Sequence, residues 1–413
     1  SWWRNKVFFL VSVASLALGL ACTNLLMTYF VHEHGLEGRN PDRDRIVFLQ
    51  QDDPMNEGKR VAYAAAEIPQ RLKNSYAEVE DYLRMGTLHL LGCKVDGQKV
   101  ESNFIVLSTD TTLTRFFDYR AAEGSLEQAL RQPNKVALSA ACARKLFGSR
   151  EAVGQHIEVQ MEGGDRQTYE VAAVLKEREQ SLLHFDMLTA SAANYWGGPT
   201  LLKLSKGTNA ARLADKINAD KEVPTMLPGQ TKYYLDPLEA VCFTTPDDAS
   251  QQVLDYISQT PVQTLYISLL AAVLILVIAC CNYTNMSLSR LLQQLRMIHV
   301  EKLMGSTLRN IRLQLFGDAF LTVVLAFLLS ILLVNDCLAV FNGLLGSRLT
   351  MGFFFSSQML PWLLVFILVM SVIPAWYISR RLSRLSFSQY RTLYGGRRKQ
   401  RFVAVLVTVQ FAI

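Results

Sequence analysis

The chain has 413 residues, half of them hydrophobic, and a formal net charge of +6. Its mean hydropathy is +0.16, a balance that a soluble protein of this size rarely shows. The positive charge is confined to a few short segments, which excludes a nucleic-acid-binding reading.

Four apolar runs stand out in chain order: 7–31, 265–281, 315–334 and 359–378. About 20 apolar residues are needed for a helix to cross a hydrocarbon core of roughly 30 Å. The first run is too long for the apolar region of a signal peptide and lacks a small-residue cleavage site. Residues 32–261 carry 26 Lys and Arg against 33 Asp and Glu, net −7. The flank Arg4 and Lys6, the segment 290–312 and the segment 380–401 together carry 15 basic residues against one acid, Glu301. Loops rich in Lys and Arg stay cytoplasmic. The expected layout is therefore a first span at 1–31 with its N-terminus inside, an outer domain at 32–261 and a second span at 262–289. An inner loop at 290–312, a third span at 313–341, a short outer loop at 342–357, a fourth span at 358–379 and a basic inner linker at 380–401 follow. Residues 402–413 are expected to begin a fifth span. Their composition, apolar after a basic cluster, matches 2–20 and suggests a second copy of the unit. The fold class is an α-helical transmembrane bundle of four spans plus the start of a fifth, carrying a large α+β extracytoplasmic domain. The basic loops suit anionic lipid headgroups.

Within 32–261, β-rich stretches at 46–49, 104–107, 135–138, 155–161 and 168–175 interleave with helical patterns at 62–73, 125–130 and 139–147. Strands and helices mixed in this way predict an α+β domain. Ser139 can cap its helix and Gly148 can end it. The acidic runs 52–53 and 78–81 read as solvated faces, and His32-x-His34 as a solvated turn beside the membrane. Of seven cysteines, Cys93, Cys142 and Cys242 fall in this domain; one pair is possible and the spacing does not identify it. There is no metal-ligand spacing, no nucleophile elbow, no HExxH and no phosphate-binding GxxxxGK[ST] loop. No catalytic residue, metal or cofactor is assigned to this chain.

The segment after the second span carries more. Leu288, Leu291, Leu292, Leu295 and Ile298 recur at three- and four-residue spacing, which predicts an amphipathic extension of the span, followed by a short helix at the inner surface. It serves equally well as an interfacial anchor or as a docking surface for a cytoplasmic partner. Asn282 and Asn285 can bond neighbouring helices near the inner interface. Asp318 is the one acid in an otherwise apolar span.

The order of several motifs resembles the MacB/FtsX-type permeases of ABC transporters over nearly the whole chain. Phe116-Phe117-Asp118-Tyr119, Glu123-Gly124, Val136-Ala137-Leu138-Ser139, Ala143-Arg144-Lys145-Leu146-Phe147-Gly148, Val153-Gly154-Gln155 and Tyr169 through Leu175 resemble the MacB periplasmic core. Asn282-Tyr283-Thr284-Asn285, Val300-x-Lys302-Leu303-Met304-Gly305-Ser306 and Gln314 to Asp318 resemble the family's inner loop and its exit. The chain resembles the long form of the family, with two such units in tandem. Departures occur where the family has a Lys-Glu pair and an Arg: here Arg296-Met297, His299 and Glu301.

The resemblance implies a bacterial inner-membrane permease subunit with its outer domain in the periplasm. It implies coupling to a cytoplasmic P-loop ATPase dimer through Arg296, Met297, His299, Glu301, Lys302 and Gly305, with ATP and Mg on the ATPase. A second permease, or the second half of the same one, and a periplasmic adaptor or lipoprotein are further implied partners. The implied work is mechanotransmission, serving efflux, lipoprotein release or transmembrane signalling. The altered inner loop keeps a second reading open, a membrane-anchored sensor or scaffold uncoupled from any ATPase.

Overall fold

A computed structural model describes residues 2–384, apart from 54–59, 96, 101–103, 162–165, 191–196, 221, 225–230, 244–255, 258–259 and 305–306. The chain forms two compact units, one built from its first 34 residues and everything from Gln263 onward, the other spanning Gly35–Val262.

The membrane unit begins with α1 (Trp2–His34). In the outer unit, β1 (Ile46–Asp52), β2 (Arg60–Val61) and β3 (Ala64–Ala65) lead to α2 (Ile68–Ser75), β4 (Val79–Val95), β5 (Gln98–Val100) and β6 (Ile105–Thr109). Next come α3 (Leu113–Phe116), β7 (Ala121–Gly124), α4 (Leu126–Arg131), β8 (Lys135–Leu138) and α5 (Ala140–Phe147). The unit ends with β9 (His156–Met161), β10 (Arg166–Leu175), β11 (Met187–Ala190), β12 (Gly197–Gly198), β13 (Thr200–Leu204), α6 (Ala210–Ala219), β14 (Tyr233–Pro237) and α7 (Leu238–Cys242). Most of the strands join in one large sheet of order β14-β1-β13-β4-β6-β11-β8-β10-β7, with β2, β5 and β9 attached beside this path, while β3 and β12 pair separately. β8 and β10 pair in parallel, as do β6 and β11, while β1, β13 and β4 pair antiparallel.

The long β4 holds this sheet together. Its first part pairs with β13 and its second with β6, β9 and β5. Both faces are covered. Ile46 and Phe48 of β1 enter one core, with Leu83, Met85, Phe116 and Phe117. Val47 and Leu49 enter another, under α2 and α6, with Ile68, Leu72, Leu213 and Ile217. A strand buried on both faces must be apolar at consecutive positions, and this is why β1 reads as a run rather than an alternation.

Ser139 caps α5 by accepting from the Cys142 amide at 3.1 Å, and Gly148 ends it at φ +65°. Gly124 is required by a close approach: a Cβ there would lie 2.1 Å from the Ala172 carbonyl oxygen, at φ +74°. Two local expectations fail. The helix expected over 62–73 starts only at Ile68, because Ala64 and Ala65 pair with Gly198 and Gly197. The run 78–81 is a solvated face only in part: Glu80 is exposed, but Asp81 is buried on β4, accepting from Lys73 Nζ at 2.8 Å and from Arg115 Nη1 at 3.0 Å.

In the membrane unit, α8 (Val262–Leu303), α9 (Leu308–Leu345), α10 (Met351–Phe354) and α11 (Leu360–Arg384) follow. Among the described residues four helical stretches are long and apolar enough to cross a membrane: Phe9–His34, Val262–Ser287, Arg309–Leu345 and Leu360–Tyr377. Large apolar side chains such as Tyr266, Leu270, Leu274, Leu325, Leu328, Leu332, Leu364 and Leu368 are exposed on these helices, whereas among the described residues of the outer unit only its last, Val262 at the start of α8, is. This contrast is what lipid on one unit and water on the other demand. Leu16, Ala17 and Leu20 of α1 pack with Ala279 and Tyr283 of α8, Val323 and Ala326 of α9 and Met370 of α11. Hydroxyls in the spans are hidden by bonding one turn back along their own helices: Thr28 to the Asn24 carbonyl at 2.6 Å, Thr284 to Cys280, Thr322 to Asp318 and Ser371 to Ile367, each at 2.7 Å.

α1 and α8 run antiparallel along a seam of small and polar residues. Ser12 Oγ donates to Met286 Sδ at 3.6 Å, Asn282 Nδ2 donates to Ser15 Oγ at 2.6 Å, and Thr23 Oγ1 donates to the Ala272 carbonyl at 3.5 Å. Between them a Cβ added at Gly19 would stand 2.6 Å from Ala279 Cβ. In lipid, where helix association relies on packing rather than water exclusion, small residues permit this approach.

Two expected outcomes follow from this packing. Gly19→Ala should destabilise the full-length protein in detergent by about 1–3 kcal/mol through overpacking, although alanine is the better helix former by up to about 1 kcal/mol. Ala279→Gly should restore its thermal midpoint; a stabilised Gly19→Ala protein would refute the close seam. In the outer unit, burial opposes ionisation of Asp81, but Lys73, Arg115 and the Tyr82 amide outweigh it and hold the carboxyl below its usual range. The pairing therefore stabilises the fold above the unfolded-state pKa of about 3.9 and is lost as pH falls through the folded value. Asp81→Asn should cost on the order of 2 kcal/mol at pH 7 and show a shallower loss than wild type between about pH 5 and pH 3, as followed by circular dichroism.

Candidate functional site

The C-terminal end of α8 holds most of the residues singled out from the sequence. Arg296, Met297, His299, Glu301 and Lys302 lie in α8, which runs unbroken from Val262 to Leu303; Gly305 lies outside the described residues. The amphipathic segment from Leu288 onward is therefore not followed by a separate short helix. It is the last part of the spanning helix itself. After it, Met304 is exposed and α9 begins directly at Leu308, capped by Thr307 through the Asn310 amide at 3.4 Å. At 1.5 Å per residue, residues 288–303 carry α8 about 24 Å past its apolar stretch.

Asn282 bonds Ser15 as described, and the next residue is Tyr283, whose hydroxyl donates to the Ala319 carbonyl at 3.4 Å. Asn285 is half-buried on the next turn, and Asp318 is exposed on α9. Thus Asn282 joins α1 to α8 and Tyr283 joins α8 to α9 at the same level of the bundle.

The C-terminal end of α1 departs from expectation. His32 is buried instead of solvated, with Nδ1 2.9 Å from Glu33 Oε1 and its ring edge-on to Phe353 at 5.0 Å; His34 alone is exposed, stacked on Phe30. The reason is α10, a turn of helix that packs its Phe353 and Phe354 inward. Deeper in α1, Asn24 is fully buried, and among the described residues neither of its amide atoms meets a hydrogen-bond partner.

Sequence reasoning missed a cluster at the start of the outer unit. Glu37 and Gln180 are the non-glycine residues with positive φ among those described, +54° and +55°, a conformation that costs a residue with a Cβ roughly 1–2 kcal/mol. They face each other: the Glu37 amide donates to the Gln180 carbonyl at 2.9 Å. The Glu37 carboxylate accepts from both terminal nitrogens of Arg178, one at 3.0 Å, and from the Leu182 amide at 2.9 Å. Arg178 lies over the Tyr119 ring at 5.0 Å, and the Tyr119 hydroxyl is 2.7 Å from Ser181 Oγ. Burial pushes the Tyr119 phenol up to about 12, so it stays protonated. Burial alone would lower the Arg178 pKa, but Glu37 outweighs it and raises it. The same loop reaches the end of the unit, where the His184 amide donates to the Tyr256 carbonyl at 2.6 Å and Leu183 bridges Ile257. No sequence signal marked this cluster: Glu37 stands between Gly35 and Gly38, either of which would be the natural bearer of positive φ.

Among the described residues no group of three or more His, Cys, Asp or Glu side chains is placed to hold a metal. Cys93 and Cys142 are free and buried in one apolar cluster; burial pushes the Cys93 thiol up to about 11 and raises that of Cys142 further, so neither is a reactive thiolate.

Comparison with known proteins agrees with this architecture. The family model of the MacB-like periplasmic core domain matches residues 9–220, and that of the FtsX-like permease C-terminal region matches residues 269–387. No curated protein matches the chain. Similar solved structures include a domain described as that of a permease protein from Porphyromonas gingivalis, 17% identical over 48% of this chain and 91% of that one, with a TM-score of 0.40. Others are the extracellular domain of the noncanonic ABC-type transporter YknZ from Gram-positive bacteria (16% identity, 46% and 98% coverage, TM-score 0.33) and the periplasmic region of MacB from Actinobacillus actinomycetemcomitans (8%, 47% and 89%, 0.34). The two family regions carry the assignment, since they fall on the α+β unit with its leading helix and on the spans that follow it. The chain belongs to the MacB/FtsX-type permeases of ABC transporters.

Proposed function

We propose that this permease converts the work of a separate cytoplasmic ATPase dimer into movement of its outer domain. The observation that carries the reading is α8, one helix of 42 residues. A span needs about 20 residues; the remainder prolongs the same rigid rod beyond the apolar stretch, with the basic and amphipathic positions on the prolongation. A displacement at Arg296–Lys302 is delivered along the rod to Val262, where the outer unit begins. Tyr283 and Asn282 pass part of it sideways to α9 and α1. The orientation follows the positive charge: N-terminus and residues 290–312 cytoplasmic, Gly35–Val262 periplasmic. ATP and Mg act on the ATPase, and this chain contributes no catalytic group. The load is a lipoprotein, a peptide, a small toxic compound or a signal to a cell-wall enzyme or sensor kinase. A second permease, or a second half of this one, completes the pair that two ATPases require. Coupling of this kind demands two states biased by nucleotide.

The test is affinity purification of the full-length protein in mild detergent, with mass spectrometry and an ATP hydrolysis assay. A P-loop ATPase should copurify, and reversing Arg296 and Glu301 together should lower its retention about tenfold, a loss of 1.4 kcal/mol. Purification without an ATPase under conditions that preserve related complexes would favour the sensor or scaffold reading instead. Gly305→Pro should leave the outer domain folded and the ATPase bound, yet abolish the nucleotide-dependent response of the outer domain; a normal response would remove Gly305 from the coupling path.

A further inference from the structure

The outer unit is continuous with the membrane helices at two points, the segment after α1 and the segment before α8. In the structure both segments are held by one loop. At the incoming segment Glu37 accepts from Arg178 through both oxygens and from the Leu182 amide, and its own amide donates to Gln180. At the outgoing segment the His184 amide donates to the Tyr256 carbonyl, and Leu183 forms a β-bridge with Ile257. Glu37, Leu182, Leu183, Tyr256 and Ile257 are all buried. The loop in turn is fixed to the domain core, since Leu182, Leu183, Tyr256 and Ile257 share the cluster that contains Phe48, Leu83 and Ala173. Glu37 and Gln180 both occupy the left-handed region. Strained residues persist only where their surroundings over-determine them, and they gather at clamps and switch regions.

We propose that Glu37 is a positioning residue: through Arg178 and the loop 178–184 it ties the incoming segment to the outgoing one, so that the two move together and reach the domain core as one lever. The arrangement suits a device driven from the membrane side. Two independent tethers would let the domain tilt or twist when only one helix moved; a joint clamp turns either displacement into the same motion. In its transmitting role the proposal rests on the coupling function above, but the clamp itself is a property of this chain alone.

The experiment has two parts, both on the full chain in lipid nanodiscs. Hydrogen–deuterium exchange is read first without any partner, on peptides covering 180–186 and the pair Tyr256–Ile257. Glu37→Gln keeps the side chain's size and removes its charge. It should speed exchange of the Leu182 and His184 amides, and of the Tyr256–Ile257 peptide, together by about tenfold. Exchange in β8 and β10 should stay at wild-type rates and serves as the folding control. Arg178→Lys, which keeps the charge and loses the paired geometry, should give a smaller rise at the same places and keeps the test open if Glu37→Gln does not fold. Loosening confined to 180–182, with His184 and Tyr256–Ile257 unchanged, would show that the two segments are anchored separately and overturn the clamp.

The second part adds the copurified ATPase and nucleotide. Wild type should show a nucleotide-dependent change in exchange at β7 and β10. Glu37→Gln should retain ATP hydrolysis and ATPase binding while that change falls about tenfold, an effect that mere loss of stability does not produce. A variant with loosened segments but a full nucleotide response would overturn the transmitting role. A wild type without any response would instead count against the ATPase-coupling function, and the first part would still decide the clamp.

Discussion

The close approach of α1 and α8 at Gly19 and Ala279 underlies much of the architecture. These are the helices from which the chain passes into the outer unit and returns from it. In a bilayer no hydrophobic force draws helices together, because lipid is as apolar as they are. What remains is packing at short range and a few hydrogen bonds, and the seam supplies both: small residues at its middle, with Ser12, Ser15 and Thr23 of α1 meeting Met286, Asn282 and the Ala272 carbonyl of α8. A side chain at position 19 would separate the helices and lengthen all three polar contacts. The seam thus sets the pairing, and α9 and α11 then close the core around Leu16, Leu20, Val323 and Met370.

The outer unit obeys the opposite rule. Water lets its surface be charged, and its charges do structural work only where they are buried. Asp81 and Lys203 are examples: Lys203 donates to Asp42 at 2.5 Å and to the Arg115 carbonyl at 3.3 Å, while Arg115 in turn pairs with Asp81. Asp42 is held below its usual carboxylate range, first by Lys203 and then by Arg45. This chain of ion pairs runs across β13 and β4, beside the place where β4 passes from one part of the sheet to the other. Exposed pairs such as Arg120 with Asp118 contribute little by comparison. Where both partners are buried, removing one strands the other charge at a cost of roughly 3–5 kcal/mol; the loss at Asp81 is smaller because Lys73 and Arg115 reach water. The same reasoning makes Glu37 with Arg178 significant and His32 with Glu33 unexpected.

The sequence was most legible where one physical constraint dominates. Four apolar runs of spanning length admit almost no reading but transmembrane helices, and Ser139 and Gly148 mark a helix by chemistry local to its ends. It was least legible where contacts between distant segments decide. Val79–Val95 contains two acids, an Arg, a Lys, a His and two glycines, and no alternation marks it; it is a strand because β13, β6 and β9 lie beside it. Ala62 to Glu67 looks helical by composition, yet Ala64 and Ala65 are taken by the two glycines at 197 and 198. Thr200–Leu204, Tyr233–Pro237 and the α6 helix, capped by Asn209 at the Arg212 amide, form from stretches whose periodicity was too short to separate from loop.

By itself the sequence determined that the chain is a multi-pass membrane protein with a large α+β domain between its first and second spans. It did so because the length, the apolarity and the flanking charge of a span are properties of consecutive residues. It also marked Arg296 through Gly305 as the segment to watch, through motif order. Only the tertiary structure decided that α8 is a single rod from Val262 to Leu303, that Gly19 meets Ala279, that His32 is buried under Phe353, and that Glu37, Arg178, Leu183 and Ile257 meet in one clamp. Those facts join residues up to 321 positions apart, from His32 to Phe353, and no local pattern encodes the distance between two side chains that only folding brings together.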